Sequence, residues 1–179
     1  SLVGSEMCIR DSIKLIVICE ECLVDGTIDK NLLYEIAKYE CIYVTEKIFT
    51  QISDVKAPQG ILAIIEKGCK QGQIDYSEDI IIALDGIQDP GNLGTILRTV
   101  DSANLKQIIV SADTADCYNP KVVRSTMGAI FRVNIIETAE LETTLKEIKK
   151  HKFDVIVTSL NTERSIYDIK YNKKVIVIG

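Results

Sequence analysis

The chain has 179 residues, 46% of them hydrophobic and 26% charged, with a formal net charge of −5. This is the composition of a soluble globular domain, or of one domain with a small companion, and it lacks the run of about 18 apolar residues that a membrane span needs. The acidic balance argues against a protein that coats nucleic acid, yet leaves room for a local basic patch.

Residues Ser1 to Ser12 have neither strand nor helix period, and no basic stretch ahead of an apolar core. Residues 1–12 therefore read as a junction-like or non-native segment rather than a signal peptide, and a cytoplasmic setting is expected. Ile13 to Cys19 reads as a buried strand. Asp29 is placed to cap a helix carrying Leu32, Leu33, Ile36 and Ala37 at helical spacing. Ile42 to Val44 is a short strand, Thr45 caps a second short helix with Glu46 in its first turn, and Gly60 to Glu66 is another strand. Residues 13–67 thus form a small α/β module. Residues 68–79, polar and with two glycines, read as a linker.

From Ile80 the pattern alternates. Strands are expected at Ile80 to Leu84, Gln107 to Ser111, Arg132 to Glu137, Asp154 to Thr158 and Lys174 to Ile178. Helices are expected at Leu93 to Ala103, Pro120 to Met127 and Leu141 to His151. Repeated β-α-β units with continuous apolar strands imply a parallel sheet covered on both faces, over residues 80–179. Ligands of such sheets lie beyond the carboxyl ends of the strands. Since the sequence stops at Gly179 just after a strand, it is expected to be truncated there.

Six cysteines are spread through the chain, and Cys19 and Cys22 make one C-x-x-C. A zinc site would want a second pair or nearby histidines, and the single histidine is His151, so no metal is expected. A redox pair competes with reduced, half-buried thiols. One histidine also disfavours a Ser-His-Asp or Cys-His site.

The chemistry concentrates in "DGIQDPGNLGTILRTVDSA", Asp85 to Ala103. Gly86 and Gly91 have phosphate-loop spacing, but Asn92 and Leu93 stand where the lysine and hydroxyl belong. Gly91 and Gly94 supply half of a dinucleotide fingerprint, with Asp113 where a ribose-binding acid would lie; an oxidoreductase stays open as an alternative. Leu93, Ile96, Leu97 and Val100 form a helical stripe that leaves Arg98 off it, four residues after Gly94. Helical side chains lean toward the N-terminus, so Arg98 is expected to lie back over Gly94 toward Asn92 and the free amides of the helix start, forming an anion site. A surface arginine beside an ordinary glycine turn is the other reading. Further on, Asn119 and Pro120 open a helix, and Lys121, Arg124 and Arg132 cluster with Tyr118 around it, as an RNA backbone would want. Gly128 marks a close backbone approach, and a solvated basic face is the alternative there.

"LDGIQDPGNLGTILRTVDSA" closely resembles the first motif of the SpoU (TrmH) RNA 2′-O-ribose methyltransferases of the SPOUT class. "NPKVVRSTMGAIFRV" is similar to the segment that follows in that family, and "VTSLNTERSIYDI" with "KKVIVIG" to the approach to its second motif. "APQGILAIIE" is like the end of the small L30e-like RNA-binding domain that often precedes the catalytic one. The resemblance implies a parallel-sheet SPOUT domain of the trefoil-knot family, S-adenosylmethionine as cofactor, structured RNA (ribosomal RNA above all, transfer RNA as an alternative) as substrate, and a homodimer. By motif position it implies Asn92 and Arg98 as catalytic-motif residues, and Thr158, Ser159, Leu160 and Gly179 as the start of the cofactor loops. The rest of the family's second motif and its third would fall beyond Gly179, so the fragment alone is expected to be inactive. A non-catalytic RNA-binding module is the alternative that fits it.

Overall fold

A computed structural model describes residues 13–179 apart from 54, 56, 67–71, 160, 164, 166 and 168–171. The segment 1–12, read above as non-native, and the first part of the expected linker lie outside the described residues. The chain divides into two compact units between residues 69 and 70.

The first unit is built on β1 (Ile13–Cys19), the central strand of a three-stranded sheet. β2 (Cys41–Val44) runs parallel to it on one side and β3 (Ile61–Ile65) antiparallel on the other. Alternate β1 residues feed two small cores. Ile16 and Ile18 join Ile28 and Ile36 on one face, and Val17 and Cys19 join Phe49 on the other. Three short helices flank the sheet: α1 (Glu20–Val24), α2 (Lys30–Ile36) and α3 (Glu46–Ile52). Asp29 caps α2 as its position predicts, its side chain accepting from the Asn31 N–H at 2.6 Å. Thr45 holds the N-cap position of α3 but makes no capping bond. Instead the Glu46 N–H donates to Glu21 Oε2 of α1 at 2.7 Å, a long-range cap that no local pattern reveals. Cys19 ends β1 and Cys22 lies in α1, both as free thiols.

The second unit holds a five-stranded parallel sheet in the order β6-β5-β4-β8-β7. Its strands are β4 (Ile80–Leu84), β5 (Gln107–Ser111), β6 (Asn134–Thr138), β7 (Phe153–Val157) and β8 (Lys173–Ile178). One face is covered by α4 (Pro90–Ser102), α5 (Pro120–Ser125) and a 3₁₀ turn, Ala129–Phe131. α6 (Leu141–Lys150) covers the other. Ile82, Leu84, Ile108 and Val110 face the first layer with Leu93 and Leu97; Ile81, Ala83, Ile109 and Val175 face the second with Ile148. That two-sided burial is why the middles of these strands are continuously apolar.

Element ends depart from the periodicity for local reasons. α4 starts three residues before Leu93, at Pro90, because Asp89 caps it and proline suits the first helical position. α5 stops at Ser125 rather than Met127, because Met127 (φ 51°) and Gly128 (φ 83°) turn left-handed. Residues 72–79 differ from the expected linker. Ile74 and Tyr76 pack into the second core, and the Asp75 N–H donates to Gln107 Oε1 at 2.9 Å while Gln107 Nε2 donates back to Asp75 O at 2.7 Å. Buried Gln107 needs those partners, so this polar stretch is part of the fold. Among the described residues, no helix is long and apolar enough to cross a membrane.

Candidate active site at the carboxyl edge of the parallel sheet

In chain order the second sheet grows from β4 outward through β5 to β6, then restarts at the far edge with β7 and returns with β8 beside β4. The growth direction reverses between β4 and β8, and beyond their carboxyl ends open sheets bind ligands. The Asp85 N–H donates to Ile178 O at 2.9 Å and the Thr158 N–H to Val177 O at 3.0 Å, so the loops after β4, β7 and β8 start side by side. A Cβ on Gly179 would lie 3.2 Å from Asp85 O. The backbones meet there closely enough to favour glycine. Thr158, Ser159 and Asp85 are exposed at this edge. Leu160 lies outside the described residues.

The loop from Asp85 to Asp89 is held from β5. Gly86 (φ 67°) donates its N–H to Ser111 Oγ at 2.9 Å, Ser111 Oγ donates to Asp113 Oδ1 at 2.5 Å, and the Ala115 N–H donates to Ile87 O at 2.9 Å. Ser111 and Asp113 were not expected as a latch. A Ser followed two residues later by Asp, just past a strand, is the local signal that names it. Asp113 is thereby engaged with Ser111 and lies against Gly86, where a Cβ would be 3.1 Å from its Oδ2.

Asn92 and Arg98 both sit on α4 and both are exposed. Neither side chain has a hydrogen-bond or ion-pair partner among the described residues. Two expectations about their surroundings change. The space before Gly94 belongs to α5: a Cβ there would clash with Ser125 Oγ and lie 2.7 Å from Ser125 Cβ and 3.1 Å from Val122 O. Gly94 is small so that two helices can touch, and its nearest neighbours are Ser125 and Val122 rather than Arg98. The helix start also already holds an anion, since Asp89 Oδ1 accepts from the Asn92 N–H at 2.7 Å and Pro90 has no N–H to offer. The Asn92 N–H and Pro90 are thus unavailable to an outside anion, and Arg98 is the exposed cation of α4.

Lys121 and Arg124, three residues apart on α5, are exposed and have no acidic partner among the described residues. Arg132 differs from them. Its Nε donates to both Asp101 oxygens at 3.1 and 3.0 Å, and its terminal nitrogen reaches Oδ2 at 2.7 Å. Asp101 holds the guanidinium above its ordinary pKa by that bond and by its charge. Arg132 is thus committed to α4 and does not join Lys121 and Arg124 as a free cation. Tyr118 stands beside them half-buried, its phenol pushed up by burial and by nearby acidic groups.

The sequence profile of the SpoU rRNA methylase family matches residues 79–179. A 23S rRNA (guanosine(2553)-2′-O)-methyltransferase of Bacillus subtilis is 27% identical over 179 residues, covering 99% of this chain and 69% of that protein. Human mitochondrial rRNA methyltransferase 3 is 38% identical over 97 residues, which are 51% of this chain but 23% of the human protein. Among solved structures, an AdoMet-bound rRNA methyltransferase from Sinorhizobium meliloti superposes with a TM-score of 0.76 at 27% identity, covering 99% of this chain and 68% of that one. These relatives leave the oxidoreductase alternative without support.

Proposed function

The chain belongs to the SpoU rRNA methylase family, and on that premise we propose that it serves S-adenosylmethionine-dependent methylation of a ribose 2′-hydroxyl in structured RNA, with ribosomal RNA as the substrate class. The observation that carries the reading is Arg98: an exposed guanidinium without a protein partner among the described residues, on the helix that leaves the carboxyl end of β4 beside β8. Such a guanidinium, on the helix that follows the β4 loop, supports binding of an anionic substrate group.

The residues at this edge fit the cofactor by chemistry. Thr158 and Ser159 offer hydroxyls, exposed Asp85 offers a carboxylate to a cationic ligand, and Gly179 leaves the chain bare of a side chain where it meets Asp85. S-adenosylmethionine supplies an electrophilic methyl on a sulfonium. What remains for the protein is to raise the nucleophilicity of a hydroxyl whose proton is held tightly. Arg98 does so electrostatically: it binds the phosphate next to the target ribose or the developing alkoxide, and favours ionisation, the proton passing to water. It is no free base, because guanidinium stays protonated to a pH above about 12. Asn92 orients the ribose from the first turn of α4. Lys121 and Arg124 take the RNA backbone, and the first unit, in the role of an L30e-like module, grips folded RNA by shape. The reading carries with it a cytoplasmic setting and a pair of copies acting together.

The test uses this sequence with its reading frame extended past Gly179, labelled S-adenosylmethionine and total ribosomal RNA, followed by alkaline hydrolysis. Label in alkali-resistant dinucleotides is the expected result, because a 2′-O-methyl blocks cleavage. Label in mononucleotides would mean base methylation and would overturn the role of Arg98. Arg98→Lys is expected to lower turnover by about 10²-fold, since a point charge does not replace the planar fork.

A further inference from the structure

Asp101 lies three residues after Arg98 on α4, and residues at that spacing are surface neighbours, about 5–6 Å apart at Cβ. An aspartate so placed is the natural ion-pair partner of Arg98. The helix does not make that pair. Asp101 is held instead by Arg132, through Nε at 3.1 and 3.0 Å and the terminal nitrogen at 2.7 Å. The reach of Arg132 is open because Gly128 has no side chain: with φ at 83°, a Cβ there would lie 3.3 Å from an Arg132 terminal nitrogen. The pair is partly sheltered, the two side chains being 40% and 22% exposed. The fork meets both carboxylate oxygens, the geometry in which an arginine–carboxylate pair is strongest.

We propose that Arg132 is a positioning residue for Arg98: it occupies the Asp101 carboxylate, so that the Arg98 guanidinium stays unpaired and available to the substrate's phosphate or alkoxide. This rests on the reading of Arg98 given above. With Arg132 removed, two effects act in the same direction. Asp101 becomes free to pair with Arg98, a competition on the order of twofold at this helix spacing. Its uncompensated charge also opposes any anion brought to Arg98, a repulsion that salt screens.

A plain structural tie between the turn at Gly128 and α4 makes a different prediction, and a double-mutant set separates the two. The same extended protein and its Arg132→Gln, Asp101→Asn, Arg132→Gln/Asp101→Asn and Arg132→Lys variants are treated with phenylglyoxal, and the modification rate of Arg98 is followed by peptide mass spectrometry. Methyl transfer to ribosomal RNA is measured alongside at low ionic strength. Arg132→Gln is expected to slow Arg98 modification by about twofold or more and to lower kcat/KM by about three- to tenfold. Asp101→Asn leaves both near the parent, the double variant regains both, and Arg132→Lys falls between. A structural tie instead makes Asp101→Asn as harmful as Arg132→Gln, with no recovery in the double variant, and that pattern would overturn the proposal. Should the parent transfer no methyl to ribosomal RNA, the functional reading fails, while the Arg98 modification rates still decide whether Arg132 keeps Arg98 free.

Discussion

The two sheets of this molecule meet water differently. In the three-stranded sheet the central strand β1 is buried, but Ile42 on β2 and Ile64 on β3 are 41% and 47% exposed. In the five-stranded sheet β4 and β5 each have residues that are fully buried on both faces, Ile81 and Leu84 among them. A strand covered on both sides by helices is fixed in register and position, so the loop leaving its carboxyl end starts from a rigid point. Arg98, exposed and without a partner among the described residues, is displayed from a helix packed on these buried strands, where small displacements are costly.

That contrast makes ranked predictions. Leu97→Ala, in the α4 layer, is expected to cost about 2–5 kcal/mol, whereas Ile64→Thr on the half-covered sheet should cost under about 1 kcal/mol. Urea unfolding of each variant measures both, and equal losses would break the comparison. Gly94→Ala comes next, at about 1–3 kcal/mol, because a methyl there drives α4 away from Ser125 and Val122. The same assay reads it, and a neutral outcome would mean that the helices do not touch there. Asp89→Ala removes the cap of α4 and Asp29→Ala that of α2; each should lose about 1 kcal/mol, and unequal losses would locate the less cooperative unit.

The smallest effect concerns Cys22 in the first unit. Its thiol is pushed up from 9.0 to about 11 by a hydrogen bond with Cys19, then by burial and the charges of Asp25 and Glu46. A group that holds its proton more tightly when folded stabilises below its ordinary pKa and loses that contribution as the pH rises. The first unit should therefore weaken between pH 9.0 and about 11, and Cys22 should alkylate slowly at pH 8. Urea midpoints across that range and iodoacetamide labelling check the two statements.

Legibility followed how local each feature is. β1, β4 and β5 span the residues expected of them, and Asp29 and Asn119 cap the helices their positions predict. Asn92 and Arg98 stand out by type and spacing, and the family's first motif is written in one continuous stretch. The Glu21 cap of α3, the Gln107 clasp on Asp75 and the Arg132–Asp101 pair join residues 25, 32 and 31 positions apart, and periodicity carries no information across such gaps.

Gly94 draws the boundary most sharply. A glycine inside a helix is a sequence fact, and it signals that something passes close by. The sequence offered the side chain four residues on as the visitor, but the tertiary structure brings Ser125 of another helix. Composition and period determine which strands are buried, where helices begin and which cations exist. The fold alone decides which cations are neutralised, because an ion pair depends on distances in space: Arg132 is matched to Asp101, and Arg98 has no partner among the described residues.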